Sequence, residues 1–167
     1  RAPRVEAAAA QGAKLIALPE NFALMGLHEN DKLAIAENDG EGPIQDFLAK
    51  IAKSEKVWLI GGTIPIKAAS GKVRAASLVY NDKGQRIGRY DKIHLFDVNV
   101  PGTQEKYEES ATIEPGDDAL IVETPFGRVG FSVCYDVRFP ELYRKLSQAG
   151  MDILVVPSAF TARTGAA

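Results

Sequence analysis

The sequence contains a single cysteine and only two histidines among its 167 residues. One cysteine excludes an internal disulfide and any metal site built from several thiolates, so we expect the chain to work in a reducing compartment, the cytoplasm. Paired histidines at zinc-binding spacing, a glycine-rich phosphate loop and an acidic calcium loop are all missing. We therefore predict no metal and no cofactor.

The chain also lacks an excess of basic charge and any long hydrophobic run. Its 20 lysines and arginines are set against 22 aspartates and glutamates, which gives a formal net charge of -2. This balance offers nothing to attract nucleic acid or an anionic membrane, and no apolar stretch reaches the roughly 20 residues of a membrane span. With 46% hydrophobic residues the chain can bury one core, so we predict a single domain over residues 1–167.

Apolar periodicity divides the chain into alternating helices and strands, which is typical of a layered α/β fold. Helical spacing is found in residues 4–12, 42–56 and 137–149. Strand patterns occupy residues 14–18, 57–62, 75–80, 86–90, 120–123, 128–133 and 152–156. Residues 93–115 are mostly polar and irregular, and an unstructured segment of this length indicates an active-site loop.

Three of these strands end at the same kind of break in the apolar pattern. Glu20 follows the first strand, Cys134 follows the strand at 128–133, and Ser158 follows the last strand. In α/β sheets, functional residues gather beyond the carboxyl ends of the strands. We therefore predict that Glu20 and Cys134 lie on the same rim of the fold.

Cys134 stands where a strand pattern changes to helical spacing. A nucleophile at such a junction projects out of the sheet, and the amides at the helix start face the oxyanion that forms in acyl transfer. Two other roles are open to a lone cysteine. It can be a buried structural residue, since free cysteine is among the most buried residue types, or a redox sensor, which the lack of a resolving thiol disfavours. We adopt the nucleophile hypothesis.

A thiol needs a base, because its ordinary pKa of about 8.5 leaves it mostly protonated at neutral pH. Glu20 is the first candidate, and the alternative is a carboxylate that only caps backbone amides. Lys92 can present a fixed positive charge to a thiolate or an oxyanion, although most lysines are simply solvated. His94 is a rival base, and alternation puts it on the same side as Lys92. His28, in a polar loop, is a weaker candidate.

Three more charged residues lie near these candidates in the sequence. Glu109 belongs to the long loop, where charged side chains are usually solvated. Arg138 and Glu141 follow the cysteine at helical spacing, so we expect them to form an ion pair that holds the junction. Direct contact with a substrate is the alternative for this pair.

Taken together, residues 18–21 (LPEN), 88–96 (GRYDKIHLF) and 129–142 (VGFSVCYDVRFPEL) resemble the nitrilase superfamily of carbon–nitrogen hydrolases. The resemblance covers almost all of the chain and implies a four-layer αββα sandwich with a Glu-Lys-Cys catalytic triad. Matched motif by motif, the base is Glu20, the lysine is Lys92 and the nucleophile is Cys134. The resemblance also implies a supporting glutamate at Glu109 and an oxyanion contact from the backbone amide of Tyr135.

Within that superfamily, residues 94–97 (HLFD), 100–102 (VPG), 109–110 (ES) and 157–161 (PSAFT) resemble the Nit branch, which includes deaminated-glutathione amidase and ω-amidase. The last motif is closer to the former group. This resemblance implies hydrolysis of a small amide carrying a carboxylate or α-keto acid, through a cysteine thioester and without a cofactor. It also implies homodimers that pair through helices including residues 137–149. N-carbamoyl amino acid hydrolysis and a non-catalytic interaction protein are the alternatives.

The family sandwich begins with a strand ahead of the first helix and continues with strands beyond the region that ends at residue 167. We therefore expect residues 1–167 to form a partial carbon–nitrogen hydrolase domain, incomplete at both ends. By themselves, these residues are expected not to form an active enzyme.

Overall fold

The structure is a computed structural model that describes residues 2–26, 28, 30–99 and 106–160. The helices in these ranges are α1 (Ala2–Ala10), α2 (Asp31–Ala34), α3 (Pro43–Glu55) and α4 (Pro140–Gln148), with 3-10 helices at Glu109–Ala111 and Cys134–Arg138. The strands are β1 (Leu15–Ala17), β2 (Trp58–Ile60), β3 (Ile64–Lys67), β4 (Val73–Tyr80), β5 (Arg86–Asp91), β6 (Asp97–Asn99), β7 (Lys106–Glu108), β8 (Ile121–Thr124), β9 (Gly127–Phe131) and β10 (Ile153–Val155). No helix in this part of the chain is long and apolar enough to cross a membrane.

The first sheet is built around β4, the longest of its strands. β2 and β3 pair antiparallel with successive parts of β4, and β5 pairs antiparallel with it as well. β1 joins the sheet through a parallel pairing with β2, in which Ile16 is opposite Leu59. The parallel pairing sends the chain out of β1 and β2 at the same end of the sheet, and Glu20 follows at that end.

The second sheet has three strands in the order β10-β9-β8. β8 and β9, at two of the predicted strand positions, pair antiparallel, and β10 pairs parallel with β9, with Leu154 opposite Gly130. The parallel pairing again brings two strand ends to one edge, where Cys134 and Pro157 follow. The two segments are connected there, because the amide of Cys134 donates a 3.0 Å hydrogen bond to the carbonyl of Pro157.

Side-chain alternation stacks these elements in four layers. Leu59 and Leu78 face a core shared with α1 and α3, whereas Ile60 and Val79 face a second core shared with β8 and β9. On the far side of the second sheet, a Cβ at Gly130 would lie 3.4 Å from Leu146 of α4. The order of layers is helix, sheet, sheet, helix, which is the predicted αββα arrangement.

The start of helix α3 is stabilised by a proline in its first turn and by a carboxylate that precedes the helix. Pro43 occupies the first turn, where its missing amide hydrogen costs nothing, and the apolar positions face the sheet. The buried carboxylate of Glu37 accepts hydrogen bonds from the amides of Ile44 and Gln45 at the start of this helix. This capping contact is worth about 1 kcal/mol in typical helices.

Two features of the predicted secondary structure are corrected by the structure. The patterns do not predict β3, because Pro65 interrupts its alternation, and a proline normally argues against a strand. The segment 93–115, expected to be irregular, contains the hairpin of β6 and β7 followed by a 3-10 helix. Residues 100–105 of that segment lie outside the described residues.

Gly62 allows the segment after β1 to approach the sheet closely. Its φ of 51° is in the left-handed region, and a side chain there would overlap with the carbonyl oxygen of Pro19. Since Pro19 precedes Glu20, the lack of a side chain at position 62 allows the segment that carries the glutamate to lie this close to the sheet.

We expect Gly62→Ala to destabilise the fold by about 3 kcal/mol, combining about 1 kcal/mol for the left-handed backbone with an overpacking cost of about 2 kcal/mol. Gly71→Ala is the matched control, because Gly71 also has positive φ (83°) but no atom within 4 Å of its added Cβ. The measurement is denaturant unfolding of both variants in the full chain that carries this sequence. Equal destabilisation would show that the contact with Pro19 is unimportant.

Candidate active site

A cavity of about 720 Å³ opens at the edge where Glu20 and Cys134 emerge from their sheets, and both residues line it. Its other charged lining residues are Lys32, Lys92, Glu109 and Arg138. Its apolar and aromatic walls include Met25, Phe96, Val98, Tyr107, Tyr135 and Phe160. A cavity of this volume is in the range that binds small molecules.

Lys92 lies at the centre of a buried charge cluster. It lies just past the end of β5 with its side chain 2% exposed, and its Nζ is 3.0 Å from Glu20 Oε1 and 2.8 Å from Glu109 Oε2. Burial lowers the pKa of Lys92, but the charges of Glu20 and Glu109 outweigh burial and hold that pKa above its ordinary value. Lys92 is therefore a permanent cation, and the solvated alternative is wrong for this lysine.

The two glutamates are themselves held in place by backbone amides. Glu20 Oε2 accepts a 2.9 Å hydrogen bond from the amide of Ala159, beyond β10. Glu109 Oε2 accepts a 2.7 Å hydrogen bond from the amide of Phe96. Glu109 is buried and belongs to the charge cluster, so the expectation that its loop position would leave it solvated is wrong.

Cys134 begins the short 3-10 helix that follows β9, and its backbone is strained. Its φ is 46°, an unusual value for a residue with a side chain, and Asn21, directly after Glu20, has a similar φ of 53°. Such strain persists only where surrounding contacts impose it, and it is concentrated at functional sites. The turn directs the thiol into the cavity, as the sequence pattern predicts.

The surroundings of Cys134 favour the protonated thiol over the thiolate. Burial raises its pKa to about 11, and the negative charge of Glu20 acts in the same direction, while Lys92 partly opposes them. A thiol with this pKa carries almost no thiolate at neutral pH, so it requires a base when it attacks. Glu20 is the carboxylate whose charge acts on it.

The two histidines are separated from this arrangement. His94 Nδ1 is 2.7 Å from Asp136 Oδ1, its ring stacks on Phe139 at 3.7 Å, and it is not among the residues lining the cavity. His28 is exposed, and its amide donates to the side chain of Asp31. Geometry therefore distinguishes Lys92 from His94, which alternation along the sequence could not do.

The predicted ion pair between Arg138 and Glu141 is wrong. Glu141 Oε1 instead accepts a 2.8 Å hydrogen bond from Arg144, on the exposed surface of α4. The reason is local, because Phe139 has an extended backbone (φ -116°, ψ 87°) and α4 begins only at Pro140. Arg138 thus precedes the helix, and it lines the cavity.

Sequence reasoning missed several residues of the site. Phe96 and Tyr107 line the cavity and lie in residues 93–115, which the sequence predicts to be an active-site loop. No sequence pattern singled out either residue. Lys32 and the buried Asp136 gave no signal of their own. In the described part of the chain, no group of three or more acidic, histidine or cysteine side chains is arranged to hold a metal ion.

The αββα sandwich with a cysteine, a carboxylate and a lysine at one rim defines a chain of the nitrilase type. Comparison with known families agrees, because the carbon–nitrogen hydrolase model matches residues 4–166. The chain belongs to the carbon–nitrogen hydrolase family. Of the motifs quoted from the sequence, residues 100–102 and residue 161 lie outside the described residues.

Curated relatives include two amidases. A deaminated glutathione amidase of Synechocystis is 44% identical over 165 residues, which cover 96% of this chain and 60% of that protein. A human omega-amidase is 40% identical over 164 residues, covering 98% of this chain and 58% of its own length. The chain thus spans about 60% of the length of these relatives.

Solved structures show the same fold. The Nit3 protein of Saccharomyces cerevisiae, described as a member of the nitrilase superfamily, aligns with a TM-score of 0.84 at 30% identity over 99% of this chain and 59% of its own. The NitFhit protein of Caenorhabditis elegans aligns with a TM-score of 0.86 at 34% identity, over 98% of this chain and 40% of its own.

We expect the modification of Cys134 by methyl methanethiosulfonate to rise about tenfold per pH unit to at least pH 10, because only the thiolate reacts. Glu20→Gln removes the negative charge that raises the thiol pKa, so its profile should move to lower pH even though Glu20 is the candidate base. Glu123→Gln, on an exposed strand position, is the matched control. Mass spectrometry of the Cys134 peptide gives the rate, and a wild-type plateau below pH 9 would contradict the raised pKa.

Proposed function

We propose that the protein carrying this chain is a thiol-dependent amidase that hydrolyses a small amide bearing a carboxylate or α-keto acid group. The observation that carries the proposal is the burial of Glu20 and Lys92 in one ion pair, beside the Cys134 thiol, at a single cavity. A nucleophile, a base and a fixed cation are the groups that acyl transfer from an amide requires.

In the first half-reaction, Glu20 takes the proton of Cys134 as the sulfur attacks the amide carbonyl carbon. The Lys92 ammonium and the backbone amide of Tyr135 stabilise the oxyanion of the tetrahedral intermediate. Glu20 then returns the proton to the leaving nitrogen, ammonia departs, and an acyl-thioester on Cys134 remains.

In the second half-reaction, Glu20 removes a proton from water as the water attacks the thioester. The intermediate collapses, the acid is released, and the sulfur recovers its proton from Glu20. Glu109 supports both steps, because its two oxygens lie 3.0 and 2.8 Å from Lys92 Nζ and keep the ammonium charged and oriented.

The substrate class is supported by the charges around the cavity. The Arg138 guanidinium lines it, and a carboxylate on the substrate would complement that charge. The names of the relatives point the same way, so we propose deaminated glutathione as the first substrate and α-ketoglutaramate as the second.

We further propose that the enzyme is a homodimer paired through residues 137–149 and that it works in the cytoplasm. Val137 is an exposed apolar residue of the 3-10 helix Cys134–Arg138, three residues before α4 begins, and a partner helix would cover it. A reducing compartment keeps the only cysteine of this chain available as a thiol.

We expect Cys134→Ala to abolish amide hydrolysis, since no other thiol of this chain can form the acyl intermediate. Mass spectrometry of wild-type protein quenched during turnover should show the acyl adduct on the peptide containing Cys134. A folded Cys134→Ala protein that still releases ammonia at the wild-type rate would refute the mechanism.

We expect Arg138→Gln to lower kcat/KM for deaminated glutathione by about 10- to 100-fold, the loss of one charge-assisted hydrogen bond. A neutral amide of similar size should be affected much less. Arg144→Gln, which changes an exposed arginine of α4, is the matched control. Adding an N-carbamoyl amino acid as a competing substrate tests the class, and a higher kcat/KM for the carbamoyl compound would overturn the proposed substrate.

A further inference from the structure

Asp136 is a completely buried carboxylate that the proposed chemistry does not use. Its Oδ2 accepts hydrogen bonds from the Tyr90 hydroxyl at 2.7 Å and from the Val133 amide at 2.8 Å. Its Oδ1 accepts from the His94 amide at 2.9 Å and contacts His94 Nδ1 at 2.7 Å. A carboxylate surrounded by donors is the acceptor in every contact, so His94 Nδ1 carries a hydrogen.

The residues that donate to Asp136 are close in sequence to Lys92 and Cys134. Tyr90 and His94 stand two residues before and two residues after Lys92, and Val133 immediately precedes Cys134. One carboxylate therefore connects the segment that carries the ammonium to the turn that carries the thiol. The Lys92 backbone is held independently, because its amide donates to Ala75 and its carbonyl accepts from Gly116.

The turn that carries Cys134 needs such a connection. A side-chain residue with φ of 46° is disfavoured by its own backbone, so contacts from outside the turn must maintain it. The hydrogen bond from Val133 to Asp136 closes the turn, and the stacking of His94 on Phe139 fixes the imidazole that anchors the other carboxylate oxygen.

We propose that Asp136 is a positioning residue that fixes the Cys134 thiol relative to Lys92 and Glu20, and that His94 serves it as a hydrogen-bond donor and not as a base. The proposal rests on the amidase function proposed above. A displacement of about 1 Å between reacting groups can cost about 100-fold in rate, so this connection bears directly on turnover.

The first test is Asp136→Asn, which keeps the shape but replaces one acceptor oxygen by a donor that faces other donors. We expect kcat to fall by about 10- to 100-fold while KM changes by less than about threefold, because the cavity walls are untouched. Tyr90→Phe, which removes one donor, should reduce kcat by a smaller factor. Glu123→Gln, an exposed carboxylate-to-amide change, is the control and should match wild type.

The second test distinguishes a donor from a base at position 94. In His94→Asn the side-chain NH2 can take the place of Nδ1–H and donate to Asp136, so we expect kcat within about threefold of wild type. In His94→Leu the donor is lost, and we expect a fall of about tenfold or more. Equal, severe losses in both variants would assign His94 to proton transfer and overturn the proposal.

A third measurement does not depend on any substrate. Because burial is the largest cause of the raised thiol pKa, a loosened turn should move the pH profile of Cys134 modification to lower pH in Asp136→Asn and His94→Leu.

Unchanged profiles and an unchanged kcat, together with a lower Tm, would mean that Asp136 has a purely structural role. If wild type hydrolyses no amide while these profiles still shift, the function fails and the positioning role stands. If Asp136→Asn does not fold, the two His94 variants decide.

Discussion

The buried contact of Lys92 with Glu20 and Glu109 is the interaction on which the rest of the structure depends. Removing three charges from water is costly, and burial is tolerated only when each charge is paired and its remaining hydrogen-bonding positions are filled. Lys92 Nζ is within 3.0 Å of both carboxylates, and the amides of Ala159 and Phe96 fill further positions. Loss of the lysine would leave two buried carboxylates without a cation, which is why we regard the cluster as a unit.

This cluster also explains why the site requires both sheets. Glu20 and Lys92 follow strands of the first sheet, whereas Cys134 and Ala159 follow strands of the second. The parallel pairs, β1 with β2 and β9 with β10, bring the strand ends together at one rim. The core between the sheets, which contains Ile60 and Phe131, therefore sets the distance between Glu20 and the Cys134 thiol.

Local patterns predicted much of this fold and the positions of Glu20 and Cys134, because both follow from where apolar runs stop. They failed where the backbone departs from regular geometry. Arg138 and Glu141 are at helical spacing, but the helix begins between them at Pro140. Asp136 could not be found at all, since its importance comes from Tyr90 and His94, more than 40 residues away in sequence. Contacts at that range leave no periodic signature in a single chain.

Burial, together with the same charges, raises the pKa of the Cys134 thiol. With one ammonium and two carboxylates, the buried cluster already has an excess negative charge, and a thiolate beside it would add a second without a counter-ion. Transfer of the thiol proton to Glu20 leaves the total charge of the site unchanged. In the proposed mechanism, the new negative charge develops on the substrate oxygen as the sulfur attacks, within the field of Lys92. The arrangement therefore disfavours a free thiolate, which is consistent with the proposed mechanism, in which proton loss is coupled to attack on the amide.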